Sequence, residues 1–351
     1  MKKKLSIKDI ADQLKVSKTT VSFVLNGKAT ENGISKAMQR KVLRHIEKVG
    51  YRPNKMAQGL RTGKSGTIGM LVEDISDGFF STVARCLEVI LQLRGYRIIY
   101  GSTENDTEIT KDLIHVFRNH QVDGYIIAPP PGIEAEIRAL KEDGLPVVIF
   151  DRYVPDVDVD CVVVDNFRGT GKAIQHLIDN GYRHIAMITL ASEQIQMTER
   201  ERGYRQVLAE AGLMPTVKKI RYHEHKEKQV ADIADLLKKH PETDALFFAT
   251  NYLAESGLEA IITMDLNIPD QLGIIAFDDH NLFRLFKPAI TAISQPIDAI
   301  CKEVVELLFA RVEDPSRGSK AIELPTALLV RDSTTPGSEK NGAPSLSGHR
   351  T

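Results

Sequence analysis

Cysteine is scarce in this chain. Cys86, Cys161 and Cys301 are far apart and odd in number. No disulfide framework and no metal-ligand spacing can be read from them, so a reducing compartment fits. Long apolar runs are missing too. Lysines open the N-terminus, but Ser6, Lys8, Asp9 and Asp12 interrupt the continuous apolar stretch that a signal peptide requires. No segment approaches the length of a membrane span. No nucleophile elbow or phosphate-binding loop is present. The expectation is a cytoplasmic protein with no membrane partner, no cofactor and no bound metal.

What is present is unevenly distributed. Hydrophobic residues make up 42% of the 351 positions, enough for real cores, and the length suits two or three structural units. The formal net charge of −1 conceals a division. Residues 1–66 hold 16 Lys/Arg against Asp9, Asp12, Glu31 and Glu47, so this segment is +12 and the rest is −13. A basic segment on an acidic body points to a polyanionic partner.

Residues 5–26 read as two short helices. Ser6 with Asp9 resembles a capping box, and Ile7, Ile10, Ala11 and Leu14 make an apolar stripe at helical spacing. Ser17 suits the cap of a second helix with Val21, Val24 and Leu25 on its buried side, and Asn26-Gly27 stops it. A third helix follows Ser35, carries Met38, Val42, Ile46 and Val49 on one face, and ends at Gly50. Three short helices with a tight turn between the first two make a helix-turn-helix head. Pro53 breaks helix geometry, and Asn54 suits the cap of a very short helical segment at Lys55–Leu60. From Thr67 the pattern changes to short apolar strands alternating with amphipathic helices, in two series. Strands are expected at Ile68–Val72, Arg97–Tyr100, Gly124–Ala128, Pro146–Phe150 and Cys161–Val164, then at His184–Thr189, Lys219–Tyr222, Ala245–Ala249 and Gly273–Phe277. Helices are expected at Ser81–Arg94, Arg168–Asn180, Glu201–Ala211, Gln229–Lys239 and Ala254–Asp265. Such alternation implies parallel sheets flanked by helices, here in two similar lobes.

Three motifs in register carry a resemblance. They are Ile7-Lys8-Asp9-Ile10-Ala11 with Val16-Ser17-Lys18-Thr19-Thr20-Val21-Ser22-Phe23-Val24-Leu25-Asn26, then Gly50-Tyr51-Arg52-Pro53-Asn54 with Ala57-Gln58-Gly59-Leu60, then the strand start Ile68-Gly69. From Ser6 to Asp332 the chain resembles the LacI-type repressor family. The resemblance implies an all-α helix-turn-helix head at 1–53, a hinge helix and linker at 54–66, and an α/β two-lobed sensor at 67–332, like periplasmic binding proteins. A disordered tail is expected at 333–351. It also implies a double-stranded DNA operator with two-fold symmetry, a small-molecule effector, and a homodimer or higher oligomer.

By that resemblance Lys18, Thr19 and Phe23 lie on the exposed side of the second helix, which enters the major groove. Each base pair there presents a distinct pattern of donors, acceptors and methyl groups. Phe23 departs from the family's frequent polar residue, and an aromatic ring favours a thymine methyl. The alternative for Phe23 is core packing. Ser6, Ser17, Thr20 and Ser22, with the Lys/Arg residues, have positioning roles on the phosphates, and Asn26 is a further DNA-binding candidate. In the hinge, Ala57, Gln58 and Leu60 face the minor groove, with Leu60 as a wedge at the operator centre, and Asn54 is a further DNA-binding candidate.

Ligands of two-lobed α/β proteins lie at the C-terminal ends of the strands. The candidates there are Glu73 and Asp74, Asp151 and Arg152, Asn251, Asp278 and Asp279, and Gln295 in a late crossover strand. The resemblance adds Asp77 with Phe79 and Phe80 as an aromatic edge, and Arg200 as an effector-binding arginine. Asp151, Asp165 and Asp278 are alternatively helix caps. Carboxylates with an arginine suit a polyhydroxylated ligand, so a sugar comes first and a nucleobase or sugar phosphate second. Tyr252 stands where many relatives have Asp, and Leu190-Ala191 replaces a common Gly-Pro.

Two other readings have weaker support. Paired carboxylates such as Asp278-Asp279 suggest an enzyme, but adjacent carboxylates usually point apart, and His223-Glu224-His225 lacks further metal ligands. A pure binding protein of the periplasmic kind conflicts with the +12 head.

Overall fold

In the computed structural model, which describes residues 5–51 and 64–335, serines start the three helices of the N-terminal unit: α1 (Ile7–Leu14), α2 (Lys18–Leu25) and α3 (Lys36–Val49). Ser6 Oγ accepts from Asp9 N at 3.2 Å while the Asp9 carboxylate accepts from Ser6 N at 2.7 Å, the reciprocal capping box. Ser17 Oγ accepts from Thr20 N at 3.0 Å, and Ser35 Oγ from Met38 N at 3.3 Å. Lys15, at φ 53°, turns the chain left-handed after α1 and makes the tight corner before Ser17. Ile10, Ala11, Leu14, Val21, Val24, Ala29 and Val42 form one core. The hinge residues Asn54, Ala57, Gln58 and Leu60 lie outside the described residues.

The second unit begins at Gly66 and contains two lobes. The first runs β1 (Thr67–Val72), α4 (Gly78–Leu93), β2 (Arg97–Ser102), α5 (Thr107–Asn119), β3 (Tyr125–Ile127), α6 (Glu134–Glu142), β4 (Val147–Phe150) and β5 (Asp160–Val164). The second runs α7 (Asn166–Asp179), β6 (Ile185–Leu190), α8 (Ile195–Glu210), β7 (Thr216–Ile220), α9 (Lys226–Lys239), β8 (Ala245–Phe248), α10 (Asn251–Thr263), β9 (Gly273–Phe277), α11 (Asn281–Leu285) and β10 (Thr291–Ser294). The chain then returns to the first lobe as α12 (Ile297–Glu313) and β11 (Ala321–Leu324), and crosses again to the second as β12 (Ala327–Leu329).

The strand orders are β11-β5-β4-β3-β1-β2 and β12-β10-β9-β8-β6-β7. Every pairing is parallel except β10 with β12, which is antiparallel. The inner strands β4, β8 and β9 are buried at every position, which is why they read as uninterrupted apolar runs.

Several expectations change. The strand expected at Lys219–Tyr222 lies at Thr216–Ile220, because this edge strand leaves Lys218 and Lys219 at least partly exposed and has no apolar run to mark it. Helix α8 starts at Ile195 rather than Glu201. Strands β11 and β12 were not expected. The disordered tail expected at 333–351 does not hold at its first residues: Ser333 and Thr334 are fully buried in a short turn at Asp332–Thr334. Ser333 Oγ donates to Ile274 O at 2.7 Å, and Thr334 Oγ1 lies 2.8 Å from His176 Nε2. Residues 336–351 lie outside the described part.

Candidate functional site

Two surfaces collect the residues singled out by the sequence. The first is the outer face of α2. Val21 and Val24 point into the head core, while Lys18, Thr19 and Asn26 are exposed and Ser22 and Phe23 are half-buried. Phe23 does not belong to the head core or to the partly buried residues packed on it, which removes the core alternative. Thr20 lies 2.9 Å from Ser17 through their hydroxyls, and the Asn26 amide donates to Ser22 O at 2.8 Å, so both side chains also serve the helix ends. Ser6 and Ser17 are exposed at the N-termini of α1 and α2. Helix N-termini present unpaired N–H groups and the positive end of the helix dipole, which suits phosphates.

The second surface lies between the lobes of the sensor. Residues at the ends of β1, β4, β6, β8 and β9 converge on a cavity of about 30 Å³, room for little more than one water. Its walls include Glu73, Asp77, Phe79, Phe80, Asp151, Arg152, Arg200, Asn251, Tyr252 and Asp278. Asp74 is not in this wall: it folds back on Ser76, accepting from its N–H at 2.8 Å. Gln295 stands behind the wall, donating to Asp278 Oδ1 at 2.6 Å. Asp165 is a helix cap, accepting from Arg168 N at 2.9 Å. Asp151 and Asp278 are not caps. Each sits directly after its strand at positive φ, 69° and 72°, and each faces an arginine.

Both arginines are buried and occupied. Arg152 donates to Asp151 Oδ2 at 2.8 Å, Glu73 Oε2 at 2.9 Å and Asn105 Oδ1 at 2.8 Å. Burial disfavours its charge, yet Asp151 and Glu73 prevail and raise its pKa. Arg200 donates to Asn166 Oδ1 at 2.8 Å and to Ala249 O, stacks 3.4 Å from the Phe277 ring centre, and lies 3.7 Å from Asp278. Burial pushes the Asp278 carboxyl up to about 6, with Arg200 and Gln295 opposing and Asp77 and Asp151 adding to the rise. Burial also raises Glu73 and Asp77.

The lobes touch directly across this cavity. Asp77 Oδ2 accepts from Asn251 Nδ2 at 2.9 Å, and Asn105 Oδ1 from Gln194 Nε2 at 2.7 Å. Gly78 opens α4 where a Cβ would lie 2.7 Å from His280 Cδ2 of the opposite lobe, so a glycine permits the close approach. Phe79 and Phe80 serve both the lobe core and the cavity, their rings 5.1 Å apart and edge-to-face. Sequence reasoning missed Asn105 and Gln194, which sit in loops beyond any periodic pattern, and treated Tyr252 only as a departure. His223-Glu224-His225 lies in the turn between β7 and α9, not on a strand. Among the described residues, no group of His, Cys, Asp and Glu is placed to hold a metal, and no helix is long and apolar enough to cross a membrane.

Comparison with known proteins matches residues 6–54 to bacterial regulatory proteins of the lacI family, and residues 174–334 to a periplasmic binding protein-like domain. The ribose operon repressor of Halalkalibacterium halodurans is 30% identical over 338 residues, covering 96% of this chain and 99% of that one. A LacI family transcriptional regulator from Enterococcus faecium with bound ribose is 27% identical, with a TM-score of 0.68 over 78% of this chain and 100% of its own. The lac repressor dimer bound to operator and an anti-inducer shares the fold at 20% identity, with a TM-score of 0.82 over 95% of this chain and 100% of its own.

Proposed function

The chain belongs to the lacI family of bacterial regulatory proteins, and within that frame we propose a cytoplasmic repressor that grips a two-fold symmetric operator as a homodimer and releases or tightens that grip when a sugar enters the sensor. It is a DNA-binding transcriptional regulator and not an enzyme. One observation carries the finer reading: α2 turns Val21 and Val24 inward and presents Lys18, Thr19, Ser22 and the off-core Phe23 outward.

Helix α2 lies in the major groove, where Phe23 packs on a thymine methyl and Lys18 donates to guanine or phosphate. Ser6, Ser17, Thr20 and Asn26 hold the backbone. Asn54, Ala57, Gln58 and Leu60 reach the minor groove between two half-sites. Exposed apolar side chains in both lobes support pairing of two sensors: Val89, Leu93 and Tyr100 in one lobe, Ile262, Leu282 and Leu285 in the other. Leu93 is 85% exposed and Leu285 is 74% exposed in the single chain.

The effector occupies the cleft walled by Phe79, Phe80, Asp151, Arg200, Asn251 and Asp278. The Enterococcus faecium relative with bound ribose supports a sugar. Ligand and DNA then change each other's affinity by the same factor.

Selection of duplex DNA from a random pool tests the reading. Recovery of a two-fold motif, with affinity changed by a sugar, is the expected result. No enriched motif, with or without pooled sugars, refutes it. Sedimentation of the selected complex separates a dimer from a higher oligomer.

A further inference from the structure

Between the same two lobes, beside the inner cavity, lies a chamber of about 460 Å³. That volume falls within the roughly 300–1,000 Å³ typical of small-molecule sites. Its walls come from the far side of each sheet. Asn105 follows β2, and Arg221, Tyr222 and His223 follow β7; these strands are the sheet edges opposite β11 and β12. Leu190 and Gln194 belong to both walls, so the chamber and the inner cavity adjoin. The Asn105–Gln194 hydrogen bond stands at the divide.

An aromatic wall joins the two spaces. Tyr222 of the chamber meets Tyr252 of the inner cavity edge-to-face, with ring centres 6.3 Å apart at 81°. Tyr222 also meets His223, at 4.8 Å and 77°. The buried Tyr252 hydroxyl makes no well-formed hydrogen bond among the described residues. A polar group buried without a partner is costly unless something else supplies one.

We propose that this chamber is a second sugar subsite, so that the effector is a neutral disaccharide or longer glycoside. One ring enters the inner cavity as the lobes part. The next ring lies against Tyr222, within reach of Asn105 and Gln194. The inference rests on the sugar-effector reading above. An aromatic face beside amide groups matches a sugar ring, whose faces are apolar and whose rim is hydroxylated. Anionic sugars are disfavoured, because Glu73, Asp77, Asp151 and Asp278 outnumber Arg152 and Arg200, and both guanidinium groups are already paired. In the chamber, Arg221 and Glu224 offset each other, which leaves it suited to a neutral ring.

Titration calorimetry on the full chain tests this with glucose, galactose and ribose against cellobiose, maltose and lactose. At least one disaccharide is expected to bind about tenfold or more tightly than its constituent monosaccharides. Ala191→Trp fills the chamber from an exposed position and is expected to abolish that advantage. Tyr222→Ala is expected to do the same, and the unfolding temperature of each variant confirms that it is folded. Monosaccharides that bind as tightly as every disaccharide overturn the second subsite and leave the sugar reading standing. A disaccharide advantage that survives Ala191→Trp overturns the role of the chamber. Binding by neither class overturns both.

Discussion

The Asp77 carboxylate of one lobe accepts a hydrogen bond from Asn251 of the other at 2.9 Å. Its second oxygen caps α4, accepting from Phe79 N at 2.9 Å and from Phe80 N at 3.3 Å. One side chain thus ties the start of a helix to the closure of the cleft, and a hydrogen bond to such a group is stronger than one between neutral partners.

Asn251→Ala removes this interlobe bond and leaves the cap of α4 intact. Loss of a hydrogen bond to a charged group weakens closure by about 1.5–3 kcal/mol. Amide exchange in the loops after β1 and β8 is therefore expected to speed up by about ten- to a hundredfold, as mass spectrometry would show. Unchanged exchange there means that the bond does not hold the lobes.

Asp278 gives the sensor a pH dependence of defined sign. Its folded-state pKa, pushed up to about 6 by burial, lies above the ordinary value of 3.8. The folded chain therefore holds this proton more tightly than the unfolded chain. The stabilisation is complete below the ordinary value and is lost as pH rises through about 6. Asp278→Asn lacks the titration. Relative to wild type, the variant is expected to gain on the order of 1–3 kcal/mol as pH rises from about 4 to about 7. Thermal melts at each pH measure the difference, and a pH-independent gap would show that Asp278 does not titrate in this range.

Phe23→Ala is expected to leave the head folded, since the ring is not part of its core. Specific operator binding is expected to fall by about 1–3 kcal/mol with little change in non-specific binding. Lys18→Ala, if Lys18 contacts phosphate, lowers the salt slope by about one. Electrophoretic shifts on operator and scrambled DNA distinguish these outcomes.

Ser17→Ala removes the acceptor for Thr20 N at the start of α2. Loss of such a cap typically costs about 1 kcal/mol. Chemical denaturation of the head signal is expected to show that loss, whereas Ser17→Asp is expected to restore most of it. A silent Ser17→Ala would mean that the turn after Lys15 alone positions α2.

The head was almost fully legible, because caps and apolar spacing are local: Ser6, Ser17, Ser35 and Gly50 mark the ends that the structure shows. The inner strands were legible for a different reason, since burial on both faces leaves unbroken runs such as Val147–Phe150. Edge strands were not. In β11 and β12, exposed positions alternate with half-buried ones, and the pairing that makes them strands is with residues far away in sequence. At the cleft the sequence located the strand ends but not which neighbour faces inward. Past the last strand residue the alternation of a strand no longer applies: Asp74 turns back on Ser76 while Glu73 lines the cavity, whereas Asp151 and Arg152 both line it. Asn105 was invisible because its place depends on a loop at φ 57°, not on any repeating pattern.

The route of the chain between the lobes has a consequence for how the protein is made. Neither lobe is a continuous stretch. Helix α12 packs on α4, and β11 completes the first sheet beside β5, although both are synthesised after the whole second series of strands. The second lobe in turn waits for β12 and for Ser333 and Thr334 to cover β9 and β10. During translation the described residues of the head core are all present once Tyr51 has emerged, but neither half of the sensor is complete until nearly the last described residue. A growing chain thus completes its helix-turn-helix head long before its sensor can fold, and any coupling between the two begins only once both lobes are closed.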